Sequence, residues 1–141
     1  MGFAPVDRTA PAGGRVRDFT DLTTWKAARI LRTDIFRMSR RFPKQETYAL
    51  ASQIRRAAVS ITANLAEGYG RFSYQENIQF CRQSRGSVYE LRDHLTTALD
   101  AGYISSDEYK DADLQAILVL KRINGYIRAT KERKSHAAPH S

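Results

Sequence analysis

The stretch QIRRAAVSITANLAEGYGR, residues 53–71, decides the fold of this chain. Its apolar residues recur every three or four positions, the spacing that places side chains on one face of an α-helix. Gly68 follows this pattern as a residue typical of a helix end. We therefore predict a helix from about Glu46 to Glu67, with an apolar stripe formed by Leu50, Ile54, Ala57, Ala58, Ile61 and Leu65.

The segment before this helix shows the same period. A first helix is predicted from about Asp21 to Arg41, because Phe42 precedes Pro43 and the residue before a proline avoids the α conformation. One apolar stripe runs along its whole length. The stripe consists of Leu22, Trp25, Ala28, Leu31, Ile35, Met38 and Phe42.

Two further helices are predicted after residue 71. Ser73 and Ser105 are each followed three residues later by glutamate, the capping-box pattern of a helix start. The third helix is expected to end before Gly102. Its stripe is Phe80, Cys81, Ser84, Val88, Leu91, Leu95 and Ala98, and that of the fourth helix is Ala112, Ala116, Leu120, Ile123 and Ile127.

Four long helices joined by short links indicate an all-α fold, an antiparallel up-and-down four-helix bundle. Residues 1–18 are rich in proline and glycine and are predicted to be a disordered leader. Residues 19–130 form the bundle in this interpretation, and residues 131–141 a basic disordered tail. The fourth helix also carries Leu114, Ile117, Leu118 and Val119 beside its stripe, which predicts a homo-oligomer.

Composition excludes several classes of protein. The chain has 141 residues, of which 42% are hydrophobic, enough for one domain with a core. Its single cysteine excludes an intrachain disulfide framework. The longest apolar run, residues 116–120, is too short to span a membrane. We therefore expect a cytoplasmic protein without a membrane segment.

The formal net charge of +8 is concentrated near the N-terminus. Residues 21–45 hold seven Lys or Arg against two Asp or Glu, whereas residues 46–129 are neutral as a whole. Such a local excess favours an anionic partner, because Lys and Arg neutralise phosphates without reading sequence. The candidate nucleic-acid-binding residues are Lys26, Arg29, Arg32, Arg37, Arg40, Arg41 and Lys44.

A polar row on the second helix has a structural interpretation. It consists of Gln53, Arg56, Ser60, Asn64 and Glu67. If residue i faces roughly residue 142 − i of the antiparallel third helix, an ion pair from Arg56 or Arg55 to Glu90 is expected, with Gly86 allowing close packing. A ligand site at Asn64 and Glu67 is the alternative.

The pattern indicates no catalytic, cofactor or metal site, because the helices carry one histidine and no repeated Glu-x-x-His. We therefore expect a non-enzymatic protein. The leading hypothesis is a nucleic-acid-binding accessory protein of low sequence specificity, acting on RNA or DNA. The alternative is a protein-interaction scaffold with no direct nucleic-acid role, whose charge maintains solubility.

The stretch 53–71, followed by RGSVYEL at 85–91, resembles the four helix bundle proteins, also called 23S rRNA-intervening sequence proteins. Trp25, Phe42-Pro43 and Tyr48 also fit that pattern. Members of this family resemble the accessory protein of diversity-generating retroelements. The resemblance implies a ring-like homopentamer that binds nucleic acid and a protein partner such as a polymerase.

Overall fold

A computed structural model describes residues 15–137 of the chain. This part contains four α-helices and no strand, as the sequence predicted. None of its helices combines the length and the apolar character that crossing a membrane requires. The helices are α1 (Thr23–Ser39), α2 (Leu50–Tyr69), α3 (Tyr74–Asp100) and α4 (Ser106–Ala137), with single 3-10 turns at Phe19–Asp21 and Lys44–Glu46.

The predicted apolar stripes meet in one core. Every stripe residue of α1 and α4 is buried, and the stripes of α2 and α3 are buried except for the half-buried Leu50 and Phe80. Fully burying a Leu or Ile side chain contributes about 1.5–3 kcal/mol relative to leaving it in water. The ring of Trp25 closes one end of this core and meets Phe19 edge-on, with 5.2 Å between the ring centroids.

Ser73 caps α3 and the predicted capping box at Ser105 is complete. Ser73 Oγ accepts a hydrogen bond from the backbone N–H of Glu76 at 3.1 Å. At the start of α4, Ser105 Oγ accepts from the Glu108 N–H at 3.1 Å, and Glu108 Oε1 accepts in return from the Ser105 N–H at 2.9 Å. These bonds satisfy donors that a helix start otherwise leaves unpaired.

The predicted limits of α2 were wrong at both ends. The helix begins at Leu50 rather than near Glu46, because residues 44–46 form a 3-10 turn after Pro43. It continues through Gly68 to Tyr69, so Gly68 does not end the helix. Gly68 instead permits close approach, because a Cβ atom there would lie 2.8 Å from Asn77 Oδ1 and 2.9 Å from Phe80 Cβ.

The end of α3 follows the prediction. Gly102 has a φ angle of +79°, a left-handed conformation that glycine adopts without steric cost. The Tyr103 N–H donates to the Ala98 carbonyl at 2.9 Å, and the Gly102 N–H donates to that of Leu99 at 3.0 Å. This Schellman-type ending closes α3 and redirects the chain toward α4.

Helix α4 is longer than predicted, which corrects the boundary at residue 130. It continues to Ala137 because its last turns have packing partners. Thr130 is buried, and Lys134 Nζ donates to Gln75 Oε1 at 3.2 Å, next to the start of α3. The predicted disordered tail is therefore helical over residues 131–137. The rest of the predicted tail, and residues 1–14 of the predicted leader, lie outside the described residues.

The register between α2 and α3 differs from the prediction by about one helical turn. Ser60 Oγ lies 2.8 Å from Ser87 Oγ, whereas the predicted neighbour of Ser60 was Arg82. Ser84 Oγ donates to the Ile61 carbonyl at 2.8 Å, which agrees with this register.

Candidate nucleic-acid interface

Helix α1 and the turn after it present the predicted cations at the surface. Six of the seven candidates are exposed, and Arg32 is half-buried. Their spacing along α1 results from the inward stripe, because residues between the stripe positions point to solvent. The six exposed residues are Lys26, Arg29, Arg37, Arg40, Arg41 and Lys44.

Two of these cations already have a carboxylate partner. Arg37 Nη1 lies 2.9 Å from Asp34 Oδ1, one turn earlier on α1. Arg41 forms an ion pair with Glu108 at the start of α4. The Ser105 N–H and then Arg41 lower the pKa of the Glu108 carboxyl, so this acid remains ionised. Arg41 therefore serves the contact between α1 and α4.

Two other cations contact the tryptophan. The guanidinium of Arg29 lies 5.6 Å from the Trp25 ring centroid, and that of Arg32 lies 6.0 Å from it. Arg32 Nη1 also donates to Thr62 Oγ1 on α2 at 2.9 Å. Arg32 thus ties α1 to α2, and part of its hydrogen-bonding capacity is used inside the fold.

A groove lies where α1, α2 and the 3-10 turn meet. We define the α1–α2 groove as a depression of about 570 Å³ together with an adjoining one of about 280 Å³, which share Phe36. Five arginines and no carboxylate line the two depressions. The residues that line the groove are Arg32, Thr33, Phe36, Arg37, Arg40, Thr47, Tyr48, Ser52, Arg55, Arg56, Val59 and Ser60.

Contacts inside the groove fix one of its arginines. Arg55 Nε donates to Ser39 Oγ at 2.7 Å, and its guanidinium lies 5.6 Å from the Phe36 ring centroid. Arg40 and Arg56 are exposed, and neither has an ion-pair or hydrogen-bond partner for its side chain within residues 15–137. The groove therefore combines one positioned guanidinium with two that are available to an anion.

The 3-10 turn Lys44–Glu46, at one rim of the groove, is held by hydrogen bonds to Glu46. Glu46 accepts a hydrogen bond from the Tyr103 hydroxyl at 2.7 Å and another from the Leu50 N–H at 3.1 Å. These two bonds lower the pKa of the Glu46 carboxyl, with the Tyr103 bond contributing more. This acid lies outside the groove lining, whereas Tyr48, two residues later, lines the groove and is 95% exposed.

The remaining cations lie elsewhere. Lys26 and Arg29 line a third depression with Thr20 and Ile30, toward the start of α1, which meets the groove at Thr33. Arg41 lines a depression between α1 and α4. Lys44 is exposed on the 3-10 turn. The seven candidates are therefore spread over several adjoining depressions, and the structure brings Arg32, Arg37 and Arg40 into the α1–α2 groove.

The predicted polar row has two different roles. Asn64 Nδ2 donates to the Ser60 carbonyl at 2.9 Å and to Ser60 Oγ at 3.0 Å, so these residues join α2 to Ser87 of α3. Glu67 pairs instead with Arg71 at 2.7 Å. Gln53, at the start of the row, is exposed.

The predicted ion pair to Glu90 was wrong. Glu90 Oε2 lies 3.2 Å from His94 Nε2 on its own helix, and Arg55 is bound to Ser39. Arg56 is exposed in the groove and forms no ion pair with a carboxylate of residues 15–137. Gly86 was also misassigned, because a Cβ atom there would meet no atom within 4 Å.

Sequence reasoning therefore missed the two arginines that α2 contributes. Arg55 and Arg56 are adjacent in the sequence, but the predicted ion pair to Glu90 gave them a structural role. Summing the charge over residues 46–129 also leaves out that the two halves of α4 differ in charge. Residues 106–115 hold four acidic residues and one basic residue, whereas residues 116–137 hold six basic residues and one acidic residue.

Comparisons with known proteins agree with this fold. The family model of the 23S rRNA-intervening sequence protein matches residues 20–125. A crystal structure of a protein of unknown function from the S23 ribosomal protein family of Bacteroides thetaiotaomicron is similar, with a TM-score of 0.70 and 18% sequence identity. The similarity covers 74% of this chain and 98% of that protein. No curated protein matches the chain.

Proposed function

The chain belongs to the 23S rRNA-intervening sequence protein family, and from this premise we propose that it is a non-enzymatic, nucleic-acid-binding accessory protein of low sequence specificity. The observation that carries the proposal is the α1–α2 groove, which five arginines and no carboxylate line. Arg forms bidentate hydrogen bonds with phosphate and releases the counterions that surround a nucleic acid.

Low specificity follows from the kind of contact expected. Guanidinium groups that bind phosphates position a nucleic acid but do not distinguish its bases. The volume of the larger depression, about 570 Å³, is within the usual range for a ligand site. Arg56 lines this depression and Arg40 the smaller one, and both side chains are exposed, so a backbone of either RNA or DNA can reach them.

The salt dependence of binding tests this proposal. With four phosphates contacted on a duplex, the logarithm of the affinity should fall with that of the salt concentration at a slope of roughly −3 to −4. The affinity would then drop about 100-fold between 50 and 200 mM salt. Fluorescence anisotropy with labelled duplex DNA and structured RNA measures it. The absence of binding to both at 50 mM salt would contradict the proposal.

The non-enzymatic part of the proposal is supported by the state of the cysteine. Cys81 is buried in the core, and burial raises the pKa of its thiol to about 12. The thiolate is the nucleophilic form of cysteine, so this side chain is inert at neutral pH. A cytoplasmic location, where RNA and polymerases are found, is part of the same proposal.

We also propose that the antiparallel up-and-down bundle assembles into a ring-like homo-oligomer, which the family resemblance puts at five copies. An exposed apolar patch supports assembly. The α1–α4 apolar patch consists of Ile30, Leu114 and Leu118, each more than 50% exposed. Gln115 Nε2 donates to Asp34 Oδ2 at 3.2 Å, so Ile30 and Leu118, each about one turn away, lie at the same level.

Replacing Leu114 and Leu118 with Glu tests the assembly. We expect the double variant to have the mass of one 16.0 kDa chain and the wild type a multiple of it, because charges in a buried apolar interface are costly. Light scattering after size exclusion measures both masses. Tyr89→Glu, at another exposed apolar residue on α3, is the control and should keep the wild-type mass. A monomeric wild type would contradict the proposed assembly.

The α1–α4 apolar patch also supports the alternative, a protein-interaction scaffold with no direct nucleic-acid role. In that case the patch, and not the groove, would hold the partner, such as a polymerase. Binding of a protein partner would then change little with salt, because apolar contacts are not screened. The anisotropy measurement therefore separates the two functions.

A further inference from the structure

We propose that the α1–α2 groove binds single-stranded nucleic acid, with the ring of Tyr48 stacked on an unpaired base while the groove arginines hold the flanking phosphates. The inference rests on the proposed function and specifies its substrate. Two features of the groove support the inference: an exposed aromatic ring at the rim and the positive charge of the lining.

The exposure of Tyr48 is the first feature. The ring is 95% exposed, whereas Tyr103 and Tyr126 are half-buried and buried. The backbone that carries it is set by the turn behind it, which Glu46 fixes through bonds to Tyr103 and to the Leu50 N–H. An exposed aromatic ring offers a large apolar face for stacking. Successive bases of single strands stack on aromatic side chains in this manner.

The composition of the groove is the second feature. Arg55 lies over the Phe36 ring and is held by Ser39, so its guanidinium plane is oriented. Oriented guanidinium planes also stack on unpaired bases. Arg40 and Arg56 supply mobile positive charge for the phosphates on either side. Charge complementarity thus favours a polyanion, and the aromatic ring favours one with unpaired bases.

A duplex satisfies only part of this site. Its bases are stacked on one another, so their faces are closed to Tyr48, and only its phosphates can reach the arginines. A single strand satisfies both parts. We therefore expect a 12-nucleotide single strand of RNA or DNA to bind more tightly than a duplex of the same length at equal salt.

The decisive variant is Tyr48→Ala. Because the side chain is almost entirely exposed, its loss leaves the core unchanged. Affinity for the single strand should fall roughly 5- to 150-fold, the range for losing one base-stacking platform. The salt slope should stay unchanged, because tyrosine neutralises no phosphate. Tyr48→Phe should bind like the wild type, and Tyr89→Ala, at an exposed tyrosine outside the groove, is the matched control.

A strand without bases provides the second measurement. An abasic strand of the same length has the same phosphates, so it should bind the wild type about as weakly as the normal strand binds Tyr48→Ala. Arg56→Ala should instead reduce the salt slope by about 0.7 for a single strand. This combination distinguishes stacking from charge neutralisation, because the two variants change different parameters of the same titration.

The outcomes separate the two proposals. Wild-type affinity of Tyr48→Ala for the single strand, or equal affinity of the wild type for single strand and duplex, overturns the stacking site and leaves nucleic-acid binding intact. Failure to bind both forms at 50 mM salt overturns the proposed function together with this inference. Displacement of the single strand by an acidic peptide at equal charge also overturns the inference, since it shows that bases are not recognised.

Discussion

Replacing Arg37, Arg40 and Arg56 together with Glu is expected to reduce nucleic-acid affinity by at least 100-fold at 50 mM salt. Each substitution removes a cation from the α1–α2 groove and places an anion beside the phosphate backbone. Phosphate contacts of this kind account for essentially all of non-specific affinity. The loss should therefore approach the limit at which binding is no longer measurable.

The fold should tolerate these changes. All three side chains are exposed, and Arg40 and Arg56 have no partner among the residues that the structure describes. Asp34 loses its ion pair with Arg37 but keeps the hydrogen bond from Gln115 at 3.2 Å. An anion at Arg40, which follows the last turn of α1, costs about 0.3–1 kcal/mol through the helix dipole. Circular dichroism should show an unchanged helix content.

Two control variants identify the groove as the site. Lys110, Lys121 and Arg128 are exposed on α4, and changing all three to Glu lowers the net charge of +8 by the same amount. This variant should lose far less affinity. Lys26→Glu with Arg29→Glu should also lose less, because neither residue lines the α1–α2 groove. Equal losses in all variants would show that binding depends on total charge and not on the groove.

Sequence reasoning predicted the helices and the core well, for a physical reason. A residue such as Leu31 or Ile123 is buried because its spacing places it on the inner face of a helix, which is a local property. Capping at Ser73 and Ser105 is equally local, since each bond spans three residues. These features follow from the chain without knowledge of its neighbours.

Features that depend on how two helices meet were not predictable in the same way. The register of α2 against α3 was wrong because it depends on how the two helices pack after the turn, which residue spacing within one helix does not determine. Gly68 is likewise compatible with a helix end or with a close contact. The ion pair to Glu90 was wrong for a different reason, because Glu90 contacts His94 on its own helix and Arg55 contacts Ser39 on α1. The groove was not predicted, because Arg55 and Arg56 lie near α1 residues about 20 positions earlier in the sequence. Counting charge along the chain does not show which helices lie side by side.

Substituting alanine at Gly68 and at Gly86 is expected to change stability in opposite directions. At Gly68 a Cβ atom would lie 2.8 Å from Asn77 Oδ1, 2.9 Å from Phe80 Cβ and 3.1 Å from the Asn77 carbonyl oxygen. The latter two atoms belong to α3 at or next to its backbone, so α2 and α3 would have to separate. We expect Gly68→Ala to lower the free energy of unfolding by about 1–3 kcal/mol, the usual cost of overpacking.

The side chain of Asn77 cannot relieve this strain by moving away. It is fully buried, its Nδ2 donates to the Tyr126 hydroxyl at 3.1 Å, and its Oδ1 lies 3.6 Å from Cys81 Sγ. Displacing it would break contacts that join α3 to α4 in the core. The better helix propensity of alanine, worth about 1 kcal/mol over glycine, is therefore too small to reverse the sign.

Gly86 provides the matched control, because it also lies within a helix but meets no atom within 4 Å. Gly86→Ala should raise the free energy of unfolding by about 0.5–1 kcal/mol, since alanine removes entropy from the unfolded chain and strains nothing. Thermal and urea unfolding followed by circular dichroism measure both variants. For a chain of this size, 1 kcal/mol shifts the melting temperature by roughly 3–4 °C.

The Gly86→Ala variant also tests where the copies of the chain contact each other. A destabilising Gly86→Ala would mean that something occupies the space beside Gly86, which is open among residues 15–137 of one chain. If that occupant is a second copy, the loss of stability should grow with protein concentration, as linkage between folding and association requires. A stabilising Gly86→Ala, independent of concentration, would place the subunit contact away from this part of α3 and favour the α1–α4 apolar patch.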